Sequence, residues 1–143
     1  MAIENPSELL IQTLMTDAKV QWPAEFGPLL QENTTQRTPP SGPYGIVHLL
    51  LGDNAQISLG NNPLERSTSI LSYQIFDVIG VGTAILAKRS DFLKRAYKRR
   101  QIKAAEGALI SFRKPGTFRL VGRQGDIFYM GTLFLPFEWD TYT

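Results

Sequence analysis

The stretch "STSILSYQIFDVIG", Ser67 to Gly80, constrains the fold most tightly. Ile70, Ser72, Gln74 and Phe76 fall on one side of it, and Leu71, Tyr73, Ile75 and Asp77 on the other. A period of two belongs to a β-strand, because successive side chains there point to opposite faces. A run of about 11 residues is long for a strand, which predicts either a central strand or one that projects beyond its sheet.

Other strands are legible around it. In "YGIVHLLLG" the residues Ile46, His48 and Leu50 alternate with Val47, Leu49 and Leu51, so apolar groups fall on both faces. That predicts a mostly buried strand in which His48 is structural. "AQISL" is a short strand, with Gly52-Asp53-Asn54 as turn residues for a hairpin between the two, and "GNNP" is a further turn. In the last third, Leu109 to Phe112, Phe118 to Val121 and Ile127 to Leu135 are strand candidates, separated by turns at Lys114-Pro115-Gly116 and at Gly122 to Gly125.

Two helices complete the pattern. Asn5 is placed to cap, Pro6 suits the first helical position and Glu8 stands where a capping box needs an acid. Leu10, Leu14 and Ala18 form one apolar row and Ile11, Met15 and Trp22 a second, while Asp17 lies off the stripe and Pro23 ends it. Between Pro23 and Gly45 the chain has five prolines and a polar centre from Gln31 to Thr38, a long loop with one short strand at Leu29 to Gln31. Gly80 and Gly82 make a flexible junction before the second helix. The order is helix, loop, two or three strands, helix, three strands, which predicts one α+β domain over residues 1–143. It is a mostly antiparallel sheet with two helices packed on it.

The chemistry is sparse. The chain has no cysteine and one histidine, His48, so disulfides and multi-histidine metal sites are excluded. Gly80-x-Gly82 lacks the third glycine of a dinucleotide fingerprint, and "GNNPLERS" lacks the Gly-Lys-Ser/Thr ending of a phosphate loop. Glu138 and Asp140 alternate with Trp139 as an exposed strand end would. The expectation is a protein that is not an enzyme and needs no cofactor or metal. Without a long apolar run or a signal-like N-terminus, it is also expected to be soluble, made for the cytoplasm and without a membrane partner.

One stretch carries unusual charge. Between Lys88 and Lys103 stand eight Lys or Arg against one acid, Asp91, a local +7 on a chain of net charge +2. On a helical wheel with Phe92 at zero, Ile85, Ala96, Leu93, Leu86 and Tyr97 span roughly 20° to 140°, and Lys88, Lys94, Arg95, Lys98 and Arg99 roughly 200° to 340°. Both aromatics are therefore expected in the core, away from the cations. Arg89 lands near 60°, inside the apolar arc, where it must snorkel or meet a carboxylate, and a neighbouring subunit is one source of that carboxylate. Lys98, Arg99 and Arg100 also suit the negative end of a helix dipole. The flank of Lys94, Arg95, Lys98, Arg99 and Arg100 thus faces solvent, an acidic partner or DNA.

The pieces "WPAEFGPLL", "RTPPSGPYGIVHLL", "ISLGNNPLERSTSILSYQIFDVIGVGTAILAKRSDFL" and "FLPFEWD" occur in an order that resembles the tail terminator proteins of long-tailed bacteriophages. Leu59-Gly60, Arg66, the strand Ile70 to Ile79, Gly80 to Gly82 and Asp91-Phe92-Leu93 occupy the places of that family's pattern. The resemblance implies a virion structural subunit, made in the host cytoplasm and resident in the tail or neck. Such subunits form a ring, usually hexameric, which stops tail-tube polymerisation and docks neck or head-completion proteins, with genomic DNA passing its lumen. Phe26, Leu29, Leu30, Arg37, Tyr44, Arg66, Leu71, Tyr73 and Arg89 are the interface candidates, centred on the loop from Phe26 to Pro43 and the long strand from Leu71 to Phe76. Another neck or head-tail joining protein, or a small nucleic-acid-binding module using the basic flank, are the alternatives.

Overall fold

The computed structural model describes residues 6–31, 41–52, 54–56, 64–80, 82–104 and 107–142. In chain order they form α1 (Pro6–Gln21), a 3₁₀ turn (Ala24–Phe26), β1 (Leu29–Gln31), β2 (Tyr44–Leu50), β3 (Asn54–Gln56) and β4 (Leu64–Val78). Then follow α2 (Ala84–Tyr97), β5 (Gln101–Lys103), β6 (Leu109–Ser111), β7 (Thr117–Gln124) and β8 (Phe128–Tyr142). The fold is α+β: two helices on a sheet in the order β1-β2-β4-β8-β6-β5, with β3 added to β4 and β7 to β8.

The alternating stretch is the centre, and it is longer than its pattern suggests. β4 and β8 each run 15 residues and pair antiparallel over their whole length, from Leu64↔Tyr142 to Val78↔Phe128. Both edges of β4 are occupied, by β8 on one side and by β2 and β3 on the other. Leu71, Tyr73 and Ile75 of β4 and Leu133, Leu135, Phe137 and Trp139 of β8 are buried under the helices, joined by Leu10, Leu14 and Ala18 of α1 and Leu86, Leu93 and Tyr97 of α2. Burying each large side chain contributes roughly 1.5–3 kcal/mol. Ile11 departs from its expected row and stays 43% exposed. Gln12 of α1 donates to Glu8 at 3.1 Å, while Asn5, the expected cap, lies outside the described residues.

Among the described residues, no helix packs on the other face. There Phe76, Phe128 and Met130 form a second cluster with Tyr44, Ile46 and Val78. His48 and Leu50 belong to this face through their pairing with Ser72 and Ile70, so His48 is half-buried and Leu50 exposed, not the mostly buried strand that the apolar run predicts.

Three element boundaries or pairings also differ from the expectation. β3 does not return along β2 as a hairpin; it continues in the same direction beside β4. The ladder passes from Leu50↔Ile70 to Asn54↔Ser67, a step of four residues on one side against three on the other, which is the register of a bulge in one broken strand. Gly52 is required at the bulge: a Cβ there would sit 1.9 Å from the Thr68 carbonyl oxygen, and its N–H donates to Ser69 Oγ at 3.2 Å. Asp53, the residues 57–63 that include "GNNP", and Leu59-Gly60 lie outside the described residues. α2 stops at Tyr97, and the chain becomes strand β5 within four residues. β8 continues to Tyr142, where the sequence suggests an end near Leu135.

Candidate functional site

The predicted interface residues fall into three groups. Leu71 and Tyr73 are fully buried beneath the helices and offer nothing to a neighbour, a correction that follows from β4 being central rather than projecting. Arg89 is 8% exposed, and its Nη1 lies 2.8 Å from Asp77 Oδ2, so its carboxylate comes from β4 of its own chain and not from another subunit. Its guanidinium also stands 5.3 Å from the centre of the Phe26 ring, which is itself buried. Arg66 donates through Nε and Nη2 to Asp140 at 2.8 and 3.0 Å, with Glu138 at 3.5 Å. Glu138 and Asp140 are therefore partners of Arg66 across the β4–β8 ladder rather than an exposed strand end.

Leu29, Leu30 and Tyr44 remain half-buried. β1 pairs with β2 in parallel and is the outer strand of the sheet on that side. Tyr44 stacks flat on Phe76 at 4.4 Å and meets Phe128 edge-on at 5.1 Å. Arg37 lies outside the described residues. On the opposite side β7 pairs, among the described residues, with β8 alone, and there Leu120, Val121 and Ile127 are 45%, 50% and 54% exposed. Sequence reasoning placed Val121 in a strand but missed this apolar edge, because a shift in register between Leu120 and Gly122 breaks the alternation there.

The basic flank divides. Arg100 leaves it, since both its Nη atoms bond Asp17 of α1 and its guanidinium lies 5.6 Å from the Tyr97 ring centre. Asp17, off the apolar stripe, is thus the bracket between α1 and the end of α2. Lys94, Arg95, Lys98 and Arg99 stay together and form one wall of a cleft of about 360 Å³. The opposite wall is the β6–β7 turn with Arg113 and Lys114, and Tyr97, Phe112 and Leu135 lie at its base. Those two turn cations were legible in the sequence only as part of a Lys-Pro-Gly turn; the sheet is what brings them to α2. Among the described residues, none of Lys94, Arg95, Lys98, Arg99 and Lys114 enters an ion pair, and Arg113 reaches Glu138 only at 3.9 Å with its side chain 55% exposed.

Phe92 corrects the wheel. It is 41% exposed, touching Phe26 edge-on at 5.7 Å, in a second cavity of about 310 Å³ that it shares with Lys88 and Arg95. At zero degrees it sat on the margin of the apolar arc, and the 3₁₀ turn covers only part of that margin. Tyr97 is buried as expected: its hydroxyl lies 2.6 Å from that of Tyr73, on which Trp22 stacks at 5.8 Å. Burial pushes both phenols well above the usual tyrosine range.

Arg99 adopts φ 54°, the one non-glycine residue with positive φ among those described. It follows the helix end, where Lys98 N–H donates to the Arg95 carbonyl at 3.4 Å and Arg100 N–H to the Tyr97 carbonyl at 3.2 Å. Glycine usually occupies such a left-handed exit, because a Cβ there costs roughly 1–2 kcal/mol.

No acidic or histidine group of three or more is placed to hold a metal ion among the described residues, and no helix among them is long and apolar enough to cross a membrane. No family model matches the chain, and no curated protein matches it. Twelve chains of solved structures do match. One, a hypothetical protein, has a TM-score of 0.60 and 16% identity, with the alignment covering 99% of this chain and 96% of that one. At this identity the likeness is one of fold.

Proposed function

We propose that this chain is the repeating subunit of a closed ring, of the kind that terminates the tail tube of a long-tailed bacteriophage. The observation that carries the reading is the pair of unlike apolar borders on one sheet. β7 presents exposed Leu120 and Val121 at one side, and β1 presents Leu29 and Leu30 at the other. Head-to-tail contact of two different patches is what a cyclic ring requires, whereas a two-fold dimer uses one patch twice. An apolar outer strand that no other described strand pairs is an invitation to edge pairing, and a neighbour's β1 side supplies the cover. The order of sequence motifs that resembles tail terminators supports the same reading. The ring's further partners, the tail tube protein and a neck or head-completion protein, then meet its two faces.

Mass in solution tests the ring. Light scattering is expected to give six times the 16.0 kDa of one chain at high protein concentration. Leu120→Lys combined with Val121→Lys is expected to yield folded monomer, judged by unchanged circular dichroism. The wild-type ring added to polymerising tube protein should halt elongation, and the monomeric variant should not. A wild-type chain that stays monomeric, or tubes that grow past the ring, would sink the proposal.

A further inference from the structure

We infer that the cleft between the end of α2 and the β6–β7 turn binds the phosphodiester backbone of duplex DNA without reading its sequence. The cleft gathers six cations from two parts of the chain, Lys94, Arg95, Lys98 and Arg99 with Arg113 and Lys114, and no carboxylate is among the described residues that line it. Outside the cleft Arg66, Arg89 and Arg100 each meet an aspartate, while Arg119 and Arg123 of β7 enter no ion pair among the described residues but stand apart from the cleft's cluster. Cations gathered beside one another repel, so their assembly favours a polyanion that relieves the repulsion.

Arg99 is a second, independent pointer. A left-handed arginine is held at the mouth of the cleft where glycine would be unstrained, and strain of this kind concentrates at functional positions.

Two features choose the ligand. Cations continue from Arg95 along α2 to Lys88, two turns away and about 10 Å along the axis, beside a cavity that the single acid Glu25 also lines, and that span is too far for a single phosphate to bridge. That extension fits a polymer. Inside the cleft the rings of Tyr97 and Phe112 are buried, 1% and 2% exposed, so no aromatic face there is free to stack an unpaired base. Contacts limited to phosphates position a duplex without specifying its sequence. The cleft is complete within one chain, so the inference stands apart from the ring.

The test is fluorescence anisotropy of the full chain with a labelled duplex of arbitrary sequence. With about five phosphates neutralised, affinity is expected to fall about 500-fold between about 50 and 200 mM salt. In the Lys94→Gln/Lys98→Gln/Lys114→Gln variant the same step should cost only about tenfold. Arg99→Gly should reduce the salt slope by about one while the protein melts no lower than wild type. Absence of binding at the low salt, with mass and circular dichroism normal, overturns the inference and leaves the ring untouched. An unchanged slope in the triple variant overturns it by placing the contact elsewhere. Tighter binding of single strands that disappears in Phe92→Ala overturns it in favour of base stacking. Displacement of the duplex by poly-glutamate at lower charge concentration overturns it in favour of an acidic protein.

Discussion

Arg89 and Arg99 stand ten residues apart in one basic stretch, and the fold treats them in opposite ways. Arg89 is buried against Phe26 and pairs with Asp77, whereas Arg99 is exposed, left-handed and without a carboxylate partner among the described residues. Arg100, one residue on, returns to the first pattern with Asp17. Neighbouring charges in the sequence therefore share no common role; each is decided by what the sheet or α1 places opposite it. The paired arginines hold elements together, whereas five of the six cleft cations enter no ion pair among the described residues and Arg113 meets Glu138 only at 3.9 Å.

The most severe way to break this contrast is to take the carboxylate from Arg89. Asp77 is 5% exposed, and one of its oxygens also accepts from the Val78 N–H at 2.7 Å. Asp77→Ala leaves a buried guanidinium uncompensated and is expected to cost about 3–5 kcal/mol in urea unfolding. Replacing both partners by apolar residues, Asp77→Ala with Arg89→Met, should recover most of that loss, because the pair itself contributes little net stability against its desolvation. A loss below about 1 kcal/mol in the single variant would mean that Arg89 can swing to solvent, and the contrast with Arg99 would collapse.

Tyr73 and Tyr97 sharpen the contrast from the other direction. They are buried on the same side of the sheet with each other's hydroxyl as partner, and burial raises both above the ordinary phenol value. The folded state therefore keeps its protons after the unfolded chain has lost them. Stability is complete below the ordinary phenol pKa of about 10 and is lost as pH climbs from there toward the raised folded values. Two such groups imply a loss of about 2–3 kcal/mol by about pH 11. Urea titrations at rising pH should show this decline, with a shallower slope in Tyr97→Phe. A flat profile across that interval would show that the pair opens to water.

What the sequence could reveal follows the range of the physics involved. The period of two in Ile70 to Asp77 marks the central strand because one face of β4 is packed along its length, and the proline-rich approach still reveals Leu29 to Gln31, which become β1. The α+β class follows from those local signals. The partner of each strand does not: Gly52 reads as a hairpin turn, and only the closeness of the Thr68 carbonyl makes it a bulge. Arg89's anomalous position on the wheel was visible, but Asp77 looked like a residue of a different element. The cleft was half visible, in Lys94, Arg95, Lys98 and Arg99; Arg113 and Lys114 arrive through a sheet connection that no local pattern records. Phe92 was misplaced because a wheel gives angles and says nothing about how far a neighbouring element extends.

The smallest effect carries the sharpest test of the unpaired side. Arg99→Gly removes the left-handed strain, roughly 1–2 kcal/mol, but gives the unfolded chain extra freedom worth about 0.4–1 kcal/mol. The expected balance is a gain of about 0.5 kcal/mol, read as a slightly higher urea midpoint with an unchanged slope. Arg99→Ala retains the Cβ and the backbone strain, so it should be near neutral. If glycine instead destabilises by more than about 1 kcal/mol, the Arg99 side chain must be stabilising the fold, and it belongs with Arg89 and Arg100 rather than with the cleft. A gain from glycine with none from alanine would leave the arginine's charge, and not its backbone or its packing, as the reason for its presence at that exit.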